Sequence, residues 1–435
     1  MRLAQAAQGW FCPDHPPKLT LPEAPPKHNP PWLFGILSIP YGTFNAVITV
    51  LMPFLLRKHG VPVDKIAEVV AVAAIPNFWY FLWSPVVDIG FLRRTWVLMA
   101  AGVSALCAWI AIVWVTASLP QLTALLFAGN IVSMLLSSSC GAVLTTIHPT
   151  ARGRASGWYN AGNLGGGALG AGVAIWLAGF TPLFGLAFAS AAMVFLPALA
   201  ALAIFEEPSP RLAPSRLFGA LGRDVWQLLR APATWAGLVF FLSPVGSAAV
   251  ANLISSVGPD YHASDGQVAW VSGIAGGLLS AAGCMLGGYL CDRMNRMAAY
   301  ALAGLLSAVF SAWMALGPAS PLTYTGGYAG YALAAGIAYA AFTALELEVL
   351  GKRPHAAGTA YSLLGSSGNF PITYMTWIDG AAYKRSGARG LMGMDALANG
   401  VGALLLLVFA GTLARRWIAA DPVPSATPVP SVPKV

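Results

Sequence analysis

Two carboxylates, Glu346 and Glu348, stand toward the end of an otherwise apolar stretch, residues 322–350. An ionisable side chain among apolar neighbours is costly, so it marks a place that takes a proton, meets a cation or holds a partner. Glu348 lies four residues before Lys352, a spacing at which a helix brings opposite charges together. A surface ion pair therefore explains Glu348 as well as a transport role does. Glu346 has no basic residue three or four positions away and is the leading candidate for a proton-carrying group. Glu68 and Asp379 fall near the ends of apolar runs, where water is close.

Side-chain amides form a second set: Asn45, Asn77, Asn130, Asn160, Asn163, Asn252 and Asn369 all sit within apolar runs. Each can bind a polar solute or hydrogen-bond a neighbouring helix. Tyr41 and Tyr374, with Trp79, Trp158 and Tyr361, offer ring faces suited to stacking on sugars and equally suited to packing. The six histidines fall in tails or loops, and the five cysteines form no CxxC pair. No Walker loop, nucleophile elbow or zinc spacing occurs. No cofactor, metal centre or enzymatic activity is expected.

These residues need elements to position them, and the composition says which. Hydrophobic residues make up 57% of the 435 and charged residues 9%, against about 25% charged in soluble domains. Twelve runs are long enough to span a bilayer: 32–56, 65–87, 95–117, 121–147, 154–178, 181–204, 234–256, 267–290, 297–317, 322–350, 357–379 and 395–417. The runs are continuous rather than alternating, which predicts helices and not a barrel. Net charge is +8, but the basic residues lie in short loops, so topology explains them before nucleic acid does. Eighteen of the 24 fall on the side of the two termini, which predicts a multi-pass protein of the inner (cytoplasmic) membrane with both termini cytoplasmic.

Residues 1–31 and 418–435 are proline-rich and read as cytoplasmic tails. The longest internal polar stretch, 206–233, reads as a linker with an amphipathic piece from Arg216 to Leu229. It separates two six-helix halves, 32–205 and 234–417, which look duplicated. Pro40 and Pro244 are 204 residues apart, as are Asp88 and Asp292; Trp158 with Tyr361 and Gly162 with Gly365 are 203 apart. Duplicated halves are a signature of secondary transporters. Glycines four apart (Gly162, Gly166 and Gly170; Gly283 and Gly287; Gly326 and Gly330) predict close helix packing, and Pro40, Pro53, Pro76, Pro244 and Pro371 predict bends.

The second and third runs join through Trp83-Ser84-Pro85-Val86-Val87-Asp88 and then Arg93-Arg94. The eighth and ninth join through Gly288-Tyr289-Leu290-Cys291-Asp292-Arg293-Met294-Asn295-Arg296. This pair resembles the cytoplasmic loop motif found once in each half of major facilitator superfamily transporters, and with topology and offset the resemblance covers essentially the whole chain. It implies an all-α membrane protein, twelve transmembrane helices in two pseudo-symmetric six-helix bundles. It also implies gating loops built from Asp88, Arg93, Arg94, Asp292, Arg293 and Arg296. In the superfamily, helices 1, 2, 4, 5, 7, 8, 10 and 11 line the cavity, and all seven amides fall on that set. The remaining helices carry one asparagine, Asn399, expected near water at the outer end of the twelfth run.

The string Phe81-Leu82-Trp83-Ser84-Pro85 before Asp88 resembles the branch of AmpG muropeptide permeases and acetyl-CoA transporters, although Ile89 stands where the motif has a basic residue. The implied function is alternating-access transport of a small or medium polar organic solute, muropeptide-like at branch level. Protons would be the coupling partner, the bilayer the setting and the monomer the working unit. An uncoupled facilitator or exchanger is the nearest alternative. A membrane-embedded enzyme or scaffold would need clustered catalytic groups at one membrane face, and none is seen.

Overall fold

A computed structural model describes residues 29–89, 91–206, 214–351 and 356–414. Every regular element among them is helical. In hydrocarbon no water satisfies the backbone, and a helix closes its own hydrogen bonds.

The first half contains α1 (Pro31–Ala46), α2 (Met52–Lys58), α3 (Val63–Ala74), α4 (Pro76–Trp79), α5 (Arg93–Val113), α6 (Leu119–Leu144), α7 (Arg152–Leu177) and α8 (Leu183–Phe195). α9 (Pro214–Arg230) is the expected amphipathic linker helix. The second half contains α10 (Pro232–Phe241), α11 (Val250–Val257), α12 (Asp265–Trp270), α13 (Gly276–Arg293), α14 (Arg296–Leu316), α15 (Pro321–Leu350), α16 (Ala357–Ser367) and α17 (Asn369–Phe409).

Among the described residues, nine helical stretches are long and apolar enough to cross a membrane. One of them, Ala357–Thr412, has 56 residues, about 84 Å of helix against an apolar core of about 30 Å, so it holds more than one crossing. Its helix is broken at Ser386 and Gly387, where Gly387 takes φ +63°. α7 is 26 residues long but glycine-rich, and α10 and α11 are short pieces on either side of a break. These stretches are consistent with the twelve crossings read from the sequence. Lipid is the solvent they imply: Leu316, Leu322 and Trp377 are 87%, 76% and 76% exposed.

Glycine sets the helix spacing. A side chain at Gly162 would overlap the Gly35 carbonyl, and one at Gly42 the Asn163 backbone, so α1 and α7 meet backbone to backbone. Gly283 stands in the same way against Leu333, joining α13 to α15. Gly157 faces the Cys284 carbonyl and Gly288, joining α7 of the first half to α13 of the second.

Prolines act unequally. Pro40 sits inside an unbroken α1, whereas Pro76 opens α4 directly after Ile75, where the helix path breaks. Ser264-Asp265-Gly266-Gln267 has the spacing of a capping box and forms half of one: Ser264 Oγ accepts from the Gln267 amide at 3.3 Å, while Gln267 Nε2 donates to Thr325 Oγ1 at 2.8 Å instead of reaching back. Asn29 is buried and exchanges two bonds with Phe205, 2.8 and 2.9 Å, so the chain is pinned two residues before α1 begins.

Candidate functional site

A cavity of about 140 Å³ lies between the halves, where α1, α6, α7 and Tyr80, just past α4, face α10, α14, α15, α16 and α17. Of the residues singled out from the sequence, Tyr41, Asn160, Asn163, Glu346, Tyr361 and Asn369 line it. Glu346 is 1% exposed and its Oε1 has no hydrogen-bond partner among the described residues. Asn160 crosses between the halves, donating to Thr343 Oγ1 at 2.9 Å and to the Tyr339 carbonyl at 3.3 Å.

The other amides are engaged away from the lining. Asn130 Nδ2 donates to Asn77 Oδ1 at 3.0 Å and to the Ala73 carbonyl at 2.8 Å, and Asn369 Nδ2 donates to the Asn77 carbonyl at 2.6 Å. These bonds tie α6, α4 and α17 where Pro76 has freed backbone groups. Asn252 donates to Thr376 Oγ1 at 3.0 Å. Asn45 is half-buried and does not line the cavity. Tyr374 donates through its hydroxyl to the Leu242 carbonyl at 2.9 Å.

That last bond belongs to a larger device. Between α10 and α11 the backbone leaves helical geometry, with Gly246 at φ +69° and Ala248 at φ +54°. Pro244 cannot donate a backbone hydrogen bond, and carbonyls before it are orphaned. Tyr374 takes the Leu242 carbonyl, Tyr300 takes the Val245 carbonyl at 2.6 Å, and Asn399 Oδ1 accepts from the Gly246 amide at 3.1 Å. Val245, Gly246 and Ser247 then line the cavity with irregular backbone.

At one end of the molecule two aspartates join the halves. Asp292, at the end of α13, accepts from the Gly153 amide at 2.8 Å, the Arg154 amide at 3.1 Å and Arg154 Nε at 2.8 Å, all in the first turn of α7. Asp88 accepts from the Gly358 amide at 3.0 Å, the Thr359 amide at 2.9 Å and Thr359 Oγ1 at 2.8 Å, all in the first turn of α16. Both place negative charge on orphan amides at a helix N-terminus, where the dipole favours it. Burial pushes the Asp88 carboxyl up, while the Gly358 and Thr359 bonds and the nearby Arg93 pull it down.

The arginines play other parts. Arg296 bonds Glu348 at 2.8 Å and, through Nη2, the Pro149 carbonyl across the halves at 3.0 Å. Glu348 is thus paired with Arg296; Lys352 lies outside the described residues. Arg293 stacks over the Tyr289 ring at 4.1 Å. The Arg93 and Arg94 amides, at the start of α5, are capped by Glu206 at 3.1 and 3.4 Å.

Residues 34–376 match the sequence model of the Major Facilitator Superfamily. The chain belongs to that superfamily. It is a multi-pass membrane transporter of small molecules, not an enzyme. No curated protein matches it. Solved structures that share its fold include three transporters. The human organic anion transporter MFSD10 (TETRAN) is 18% identical, TM-score 0.64, covering 87% of this chain and 100% of its own. The proton:xylose symporter XylE, bound to 6-bromo-6-deoxy-D-glucose, is 14% identical, TM-score 0.67, covering 88% and 95%. A bacterial homologue of the iron transporter ferroportin, in its outward-facing state, is 14% identical, TM-score 0.63, covering 88% and 98%.

Sequence reasoning did not single out part of this facilitator's lining. Tyr80, Tyr159, Tyr300 and Tyr339 join Tyr41 and Tyr361 around the cavity. Nothing in their spacing separates them from packing tyrosines; only their fall on the expected cavity-lining helices could have flagged Tyr80, Tyr159 and Tyr339. Asn399 is not at the water's edge: it is 0% exposed and bonds Asp395 and Gly246. Asp379, expected near solvent, is also 0% exposed.

Proposed function

We propose that this facilitator is a proton-coupled secondary transporter of the cytoplasmic membrane that moves a polar organic solute by alternating access. Residues 32–205 and 234–417 act as two rocking bundles joined by the linker 206–233, with both termini cytoplasmic and the monomer as the working unit. Glu346 carries this reading: a carboxylate with a single-digit exposure, an unpartnered oxygen and a place on the wall of a polar cavity between the halves. Such a group is neutral while the cavity is shut and releases its proton when water reaches it.

Asp88 and Asp292 serve as latches on the cytoplasmic side, so the arrangement described is the one closed to the cytoplasm. A cavity of about 140 Å³ has room for only a few waters at about 30 Å³ each, so cargo enters when the opposite side widens. Six tyrosines and one carboxylate line it, and among the described residues no basic side chain does. Hydroxyl-rich cargo with ring faces suits such a wall better than a polyanion. A sugar-containing cell-wall fragment fits both that chemistry and the AmpG-like string at 81–85.

The second reading, an uncoupled facilitator or exchanger, is favoured by the cavity having one carboxylate alone. Uptake of a labelled anhydro-muropeptide into proteoliposomes, with and without an imposed pH gradient, separates the two for Glu346→Gln. Loss of gradient-driven accumulation with retained exchange supports coupling through Glu346. Unchanged gradient-driven accumulation removes Glu346 from that role.

A further inference from the structure

A second pair of carboxylates lies buried away from the cavity. Asp379 and Asp395 flank the break in α17, seven residues before Ser386 and eight after Gly387. At about 1.5 Å per residue both are about 10–12 Å from the break, hence at matching depth on the two arms. Both are 0% exposed on the two arms of the one broken helix.

Their surroundings are unequal. Asp395 accepts from Ser311 Oγ at 2.5 Å, Tyr331 at 3.3 Å and Asn399 Nδ2 at 3.1 Å. Asp379 has no hydrogen-bond partner for either oxygen among the described residues. Tyr331 of α15 donates to Asp395 and Tyr328 stacks beside Tyr331; among the described residues neither aspartate forms an ion pair with a basic side chain. Three donors satisfy Asp395. A second, bare carboxylate at Asp379 without counter-charge is not sustainable in a membrane interior.

We infer that Asp379 and Asp395 form a cation site, separate from the central cavity, that takes one monovalent cation, a proton or a sodium ion, onto Asp379. The site has a path to the cavity. Asn399 donates to Asp395 with its amide nitrogen and accepts from the Gly246 amide with its oxygen, and Gly246 lies on the cavity wall in the broken segment between α10 and α11. Loading the cation alters the charge that Asn399 feels and so the grip on that segment. This deepens the transporter reading and rests on it: the site senses a cation in addition to the proton that Glu346 carries at the cavity.

The test is thermal unfolding of the full chain in lipid nanodiscs, titrated with pH in sodium-free choline buffer and with NaCl at constant ionic strength. Wild type is expected to lose melting temperature as pH rises from about 4 through neutrality, because the folded protein keeps a proton on Asp379 that the unfolded chain gives up. If sodium is the resident cation, NaCl restores the high-pH value; if the proton is, NaCl does not; either pattern supports the site. Surface groups titrate too, so the readout is the difference between wild type and Asp379→Asn, whose neutral isostere should flatten the response. Asp395→Asn, leaving one carboxylate, should reduce it as well, and Glu346→Gln, which removes only the share of Glu346 itself, should keep the part of the slope that Asp379→Asn removes. An unresponsive wild type, or Asp379→Asn with the wild-type slope, overturns the inference. So does a slope lost in Glu346→Gln and kept in Asp379→Asn, which would move the ion to the central cavity. The transport reading itself is judged by the uptake assay, so the two fail separately.

Discussion

Asp88 and Asp292, 204 residues apart, make the same three bonds: each takes two amides from the first turn of a helix in the other half of the chain and a third bond from a side chain there. α16 receives Asp88 and α7 receives Asp292. Two equivalent clasps on one face join the halves there through carboxylates set on helix dipoles.

Removing a clasp should loosen that face. An anion at a helix N-terminus is worth about 0.3–2 kcal/mol. Asp292→Asn and Asp88→Asn should therefore raise the open population by about twofold to about thirtyfold. Ser138 is buried between the halves, 2.7 Å from Ser362, so a Ser138→Cys reporter should react faster with a membrane-impermeant maleimide in both backgrounds. An unchanged rate would show that the clasps are not what holds the face shut.

Glycines at the two kinds of contact should behave differently. A Cβ at Gly157 would sit 2.7 Å from the Cys284 carbonyl across the halves, so Gly157→Ala should favour opening with little loss of melting temperature. A Cβ at Gly283 would overlap the Leu333 carbonyl within the second half, so Gly283→Ala should cost fold stability, about 1–3 kcal/mol. Reporter labelling and thermal melts on the same pair of variants distinguish a moving contact from a fixed one.

The amides should divide in the same way. Asn130 ties α6 to the break at Pro76, so Asn130→Ala should lower melting temperature through an unmade buried bond, about 1–3 kcal/mol. Asn163 lines the cavity and has no such tie, so Asn163→Ala should change solute affinity while leaving the melt nearly unmoved.

Tyr300→Phe should free the Val245 carbonyl at the break before α11 and cost about 0.5–1.5 kcal/mol, read as a lower melting temperature. The cavity wall at Val245 to Ser247 should become more mobile, visible as faster hydrogen exchange at Gly246.

The sequence exposes the elements and the clasps because both leave one-dimensional marks: apolar runs of fixed length, and an aspartate repeated at a constant offset. Glu346 is legible for a related reason, a charge without a partner at helical spacing. The tyrosine wall is not, since a tyrosine that packs and one that faces a cavity look alike in a string. Asp379 and Asp395 mislead for a geometric reason. The apolar runs stop at 379 and restart at 395, so Asp379 reads as a helix end beside water and Asp395 is not singled out. The helix instead continues to Ser386 and resumes after Gly387, which sinks both carboxylates about two turns into the bundle. Asn399 is hidden by the same error, one turn beyond Asp395.

Alternating closure of the face carrying Asp88 and Asp292 is the central claim, and its most direct measurement is a spin-label distance across that face in lipid. Thr150 and Met294 are exposed there on opposite halves and suit the labels. Two distance populations are expected in wild type, with Asp88→Asn and Asp292→Asn moving weight to the longer one. A single short distance, unmoved by either substitution and by any solute or pH, would contradict it.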